Sequence, residues 1–381
     1  MTATLLGHCW PTPDQTLLLR AALLPGDAAR AAWEVWRQHA SLEALDGGSK
    51  RLLPLLYRNL RALGVDDPAF AEFKAGQRYN WFQNQSLFHQ SAKTVAALSA
   101  AGIPTLLLKG ASLATRFYAD PSLRPMSDLD LLVPEADARR AYQRLLDLGW
   151  QPDNPAFDLE AHLDTRHSTG YSLDGGCHLD LHQHLLADCF YPEADQPFWA
   201  QAEPCTFYGA PTATLCATDD LIHVCVHAAR YNPFPPVRWA ADAVHILRST
   251  EHPVDWERLL RLAETLRLSL SLHAALTYLR EALDAPVPAA VLDGLAAMPV
   301  TTAERRFYRL KVSRPGVLHG FPLIWYQYAR LAHGSGRRPT PWGYLRFVQH
   351  AWNLPSLARV PAYAWQRLRQ ELARRRRPMT P

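Results

Sequence analysis

Lysine is scarce in this chain of 381 residues: five lysines (Lys50, Lys74, Lys93, Lys109, Lys311) stand beside 35 arginines. Arginine is therefore the default cation, and each lysine is a candidate for a specific task. The six cysteines contain no CxxC pair and no small-domain spacing, which excludes a disulfide framework and a cysteine zinc site. No run of 18 apolar residues occurs, and Met1 to Pro13 shows neither a basic n-region nor an apolar h-region, so a cytoplasmic protein without stable membrane insertion is expected. Internal repeats are absent. The net charge of +4 is too small to imply nucleic-acid or membrane binding. It is unevenly spread, because the segment from Arg337 onward holds ten arginines and one glutamate while the preceding 336 residues are net acidic.

The length predicts two or three packed units, and thirty prolines predict short, frequently stopped helices. Apolar residues recur at helical spacing from about Leu17 to Ala101. The texture then changes. Thr105 to Leu108 reads as a strand, Lys109-Gly110 as a tight turn and Ala111 to Tyr118 as a helix. Asp128 to Val133 reads as a second strand, followed by a helix ending at Gly149. A hairpin turning at Asp174-Gly175-Gly176 leads into Cys177 to His182, where polar and apolar residues alternate. After Ala217 the pattern is helical, with Thr218-Asp219-Asp220 expected as a cap and Arg238 with Asp242 as a pair one helical turn apart. The expected fold class is α+β: a small mixed-sheet core over residues 101–215, helical regions over 1–100 and 216–335, and a basic aromatic tail over 336–381.

Residues i and i+2 of a strand share a face, so Asp128 and Asp130 should present two carboxylates together, and Asp180 offers the same geometry on the later strand. Adjacent anions inside an apolar strand need a cation. If the strands are neighbours, the three acids form a catalytic and metal-binding set suited to Mg²⁺, or Mn²⁺, and to in-line attack on a phosphate. Upstream, Gly110 could adopt a positive φ beside a helix start that favours phosphate. Lys109, Gly110, Ser112 and Arg124 are the candidate nucleotide-binding residues.

The run Leu107-Leu108-Lys109-Gly110, Tyr118, Arg124-Pro125-Met126-Ser127-Asp128-Leu129-Asp130-Leu131-Leu132-Val133 and the later His178-Leu179-Asp180-Leu181-His182 resembles the bacterial uncharacterised nucleotidyltransferase family, within the DNA polymerase beta-like superfamily. The resemblance covers about residues 80 to 250. It implies a nucleotidyltransferase fold, Mg²⁺ dependence and a nucleoside triphosphate donor, with ATP expected. The acceptor is left open among a small molecule, a peptide or protein, and tRNA. One departure is Gly110-Ala111, where the superfamily usually has Gly-Ser or Gly-Gly.

His178, Asp180 and His182 share a strand face, and at most one of the histidines is expected to touch a metal or the acceptor. His223 and His227 lack the central glutamate of a zinc-peptidase helix, so packing is expected for both. In the tail, Trp342, Trp352 and Trp365 interleave with Arg346, Arg367 and Arg369. A helix docked on the body is expected there, with the terminal arginines free to contact an anionic partner. An alternative for the whole chain is a binding or assembly protein that keeps the scaffold with little catalysis and engages RNA, an anionic membrane or a peptide.

Overall fold

The computed structural model describes residues 9–154, 158–174, 176–315 and 319–376. Residues 1–8, Gly175 of the expected turn and Arg377 of the terminal arginine run lie outside them, as do the side chains of the three arginines before it. Seven strands form one mixed sheet: β1 (Leu106–Leu108), β2 (Leu129–Leu132), β3 (Gln151–Pro152), β4 (Ser168–Leu173), β5 (Cys177–His182), β6 (Glu203–Phe207) and β7 (Ala210–Thr214). Their order is β3-β4-β5-β2-β1-β7-β6. β2 runs parallel to β5 and antiparallel to β1, so the lysine-bearing end of β1 and the acidic strands are direct neighbours. The fold class is α+β, with helices on both sides of the sheet.

The sheet is larger than the sequence predicts because the β6–β7 hairpin carries prolines at 204 and 211 and turns on Tyr208-Gly209. Both turn residues have positive φ, +49° and +87°, as a two-residue hairpin requires. Tyrosine in place of the usual asparagine hides the signal.

Central strands of nearly uninterrupted leucine are buried on both faces. Leu107, Leu129, Leu131, Leu179 and Leu181 point to a core with Phe88, Val95 and Leu98 of the Phe70–Ala100 helix and Leu145 of the Ala138–Asp147 helix. Leu106, Leu108 and Leu132 point the other way, into a core that joins the amino-terminal helices to those after residue 216, from Leu18 and Trp36 to Leu221 and Leu272. By strand alternation, Asp130, Asp180 and His182 face this second side.

Two expected interactions are corrected. Asp219 and Asp220 do not cap a helix; they lie inside the Ala217–Ala228 helix, fully buried, where Asp219 is gripped by Arg258 through two bonds of 2.9 and 2.7 Å and Asp220 accepts from Arg116 at 2.8 Å. Arg238 does not pair with Asp242. Its Nη1 donates to the carbonyl of Pro125 at 2.8 Å, while Asp242 takes Arg124 Nε and Nη2, each at 2.7 Å, and the Tyr118 hydroxyl at 2.6 Å. Helical spacing correctly brings residues 238 and 242 to one face; that face looks onto the core, where the nearer donor is Arg124.

The Arg124–Asp242 pair is almost wholly buried, and it ties the loop before β2 to the Arg238–Leu247 helix. Asn84 secures the same loop from the other side, donating to the carbonyls of Pro121 at 2.8 Å and Arg124 at 3.1 Å. Asp242→Ala strands a buried guanidinium and should cost about 3–5 kcal/mol in urea unfolding. Replacing both partners with apolar residues should cost far less. Equal losses in the two variants would contradict this account.

Candidate active site

Register between β2 and β5 sets Asp130 directly beside Asp180, and Leu132 beside His182. The ligand atoms of Asp130, Asp180 and His182 all lie within 4.8 Å of one another. Asp130 is the hub. Its Oδ1 accepts from Lys109 Nζ at 2.8 Å and lies 3.2 Å from His182 Nε2. Burial raises the Asp130 pKa, but the Lys109 charge and the His182 contact more than reverse it, so the carboxylate is held well below its ordinary range. Asp180 behaves oppositely: burial, and then the Asp130 charge beside it, raise its pKa. One acid is therefore matched to a cation and the other is in want of one.

Lys109 reaches Asp130 because of its backbone. Its φ is +40°, while Gly110 begins an ordinary helical turn, so the expected positive φ belongs to the lysine and not to the glycine. A left-handed backbone costs a residue with a β-carbon on the order of 1–2 kcal/mol. Such strain persists where the surroundings over-determine it, here by the buried ion pair. At Gly110 space is tight: a β-carbon there would stand 3.0 Å from Met126 Sδ and 3.2 Å from Arg124 Nη1.

The remaining candidates separate. Asp128 stands one residue before β2, half-buried, with Ser127 Oγ 3.3 Å from its Oδ1; it lies outside the close three-residue group, but its charge contributes to the raised Asp180 pKa. Ser112 is fully buried within its helix, so its hydroxyl is not presented to solvent or a phosphate. Arg124 is 3% exposed and committed to Asp242, which makes it a strut beneath the site and leaves only Nη1, over Gly110, without a partner.

His182 is the member that sequence weighed without deciding. His178 faces outward and contacts Ser172 Oγ at 3.1 Å, whereas His182 at the other end of β5 is buried on Asp130. Behind it, His167 and His223 lie at ring-centroid distances of 5.4 and 6.5 Å. Burial, helped by the nearby positive charge, pushes His167, His223 and His227 well below the ordinary imidazole value, so they are neutral at pH 7. The zinc-peptidase reading of His223 and His227 finds no carboxylate to complete it among the described residues.

Two carboxylates and an imidazole, one acid held ionised and the other destabilised by its neighbour, form a donor set that fits a hard or borderline divalent cation. No helix among the described residues is long and apolar enough to cross a membrane. No curated protein and no solved structure matches the chain. The model of the family described as "Uncharacterised nucleotidyltransferase" matches residues 48–284, which include β1, β2, β5, Lys109 and every residue of the acidic group. The chain belongs to the uncharacterised nucleotidyltransferase family.

Proposed function

We propose that the protein is a divalent-metal-dependent nucleotidyltransferase that moves a nucleoside monophosphate, with ATP as the donor, to a hydroxyl-bearing acceptor and releases pyrophosphate. The observation that carries this reading is the in-register juxtaposition of Asp130 and Asp180, with His182 completing a group only 4.8 Å across. Family membership supports nucleotidyl transfer as the reaction type.

In this reading Asp130, Asp180 and His182 hold Mg²⁺ or Mn²⁺, and Asp128 completes the set from the mouth of β2. The bound cation would neutralise the phosphates and activate the attacking oxygen. For His182 to ligate through Nε2, its proton moves to Nδ1, which is buried and otherwise without a partner. Lys109 serves as counter-ion to Asp130 until phosphates arrive, then turns its ammonium to the charge that grows on the leaving pyrophosphate. Asp180, the less enclosed acid of the pair, takes the acceptor's hydroxyl proton on a carboxylate oxygen.

Asp180→Asn should lower transfer from labelled ATP by more than about 100-fold. Thermal stability should hold or rise: a carboxyl whose folded pKa lies above its ordinary value opposes folding when ionised, so at pH 7 the amide relieves that opposition. Full turnover in this variant would overturn the proposal.

Metal-stripped protein should gain thermal stability on adding Mn²⁺ and gain further on adding ATP, by about 2.7 kcal/mol at a hundredfold excess over Kd. Lys109→Gln should reduce the ATP-dependent part and spare the metal-dependent part. ATP protection that is equally strong with chelator present would argue against a metal-bridged nucleotide.

A further inference from the structure

The carboxyl-terminal helices fold back onto the β4 flank of the sheet. Phe347 stacks on Phe190 at 6.3 Å, His350 Nδ1 lies 3.1 Å from Asp164 Oδ2, and Arg166 Nη2 donates to the Ala351 carbonyl at 3.3 Å. Between these helices and the body lies a cleft of about 590 Å³, within the range of small-molecule sites. Among the described residues its wall carries Arg166, Arg230 and Arg367 and no aspartate or glutamate. Trp352 and Tyr363 line it with ring centroids 5.3 Å apart, and Arg367 lies over both rings at 5.8 and 5.9 Å. Elsewhere in the fold Arg116, Arg124 and Arg258 are matched to the carboxylates of Asp220, Asp242 and Asp219, whereas the three cleft arginines are exposed. None of the three cleft arginines has such a partner among the described residues.

The cleft touches the candidate active site through His167, whose ring is 5.4 Å from that of His182. Sheet order fixes its side. Lys109 and the Gly110 turn follow β1, on one side of the acidic strands β2 and β5; His167 and Arg166 precede β4, on the other. In-line phosphoryl transfer needs the leaving group and the attacking group on opposite sides of the reacting phosphorus.

We infer that this cleft is the acceptor subsite and that it takes a small acceptor carrying both a phosphate group and a flat ring, the phosphate on the arginine trio and the ring against Trp352 and Tyr363. Arginine forks suit phosphate, and stacked aromatic faces suit a planar ring. The assignment to an acceptor rests on the transfer reading above; the binding of a ring-bearing phosphate does not.

The test uses full-length protein without divalent metal, titrated by calorimetry with phenyl phosphate and, separately, with inorganic phosphate. Wild type should bind phenyl phosphate more tightly than inorganic phosphate, and Arg166→Gln combined with Arg367→Gln should weaken phenyl phosphate by at least about tenfold. Affinity for ATP with Mn²⁺ should stay unchanged in the double variant, with circular dichroism and melting temperature confirming its fold. Asp180→Asn should bind phenyl phosphate like wild type, so a failed transfer reading leaves this result intact. Absent binding of phenyl phosphate, equal binding by the double variant, or a parallel loss of ATP affinity would each overturn the inference, the last by making the cleft the donor's.

Discussion

Two carboxylates on adjacent parallel strands, largely shielded from water, cannot both stay ionised without positive charge nearby. The β2–β5 register imposes this on Asp130 and Asp180, and the surrounding structure is arranged around it. Lys109 adopts a left-handed backbone to reach Asp130, and His182 closes on the same oxygen. The response is incomplete, because Asp180 keeps a raised pKa. A site that satisfies one acid and leaves the other in need suits a divalent cation.

Support for this geometry comes from farther out. The Arg124–Asp242 pair and Asn84 clamp the loop that delivers β2, and Met126 from that loop lies against Gly110. Buried ion pairs of this kind contribute little net stability but penalise any arrangement that separates the partners. Asp242 belongs to the helical part of the chain and Arg124 to the sheet part, so the acidic strands keep their position only when both parts are assembled.

Much of the fold was legible because leucine-rich strands and amphipathic helices leave local patterns. Cys177 to His182 alternates as a half-buried strand must, and the helical pattern after Ala217 corresponds to a succession of helices. Illegible features had no local signature. Tyr208-Gly209 makes a turn that ordinarily uses asparagine, and Asp219 and Asp220 resemble a cap while serving as buried counter-ions. The burial of Ser112 and Arg124 was likewise illegible, because sequence does not say which side of a helix start or loop faces the interior.

Sequence alone determined the acidic pattern, the lysine singled out by scarcity, the family and the alternation that sends residues 178, 180 and 182 to one face. Those depend on spacing along the chain. Tertiary structure decided which of them meet: register across β2 and β5 joined Asp130 to Asp180 and His182 and left Asp128 at the edge, and Arg124 was taken by a residue 118 positions away. Coulombic pairing depends on distance in space, and only the closed sheet with its packed helices sets that distance.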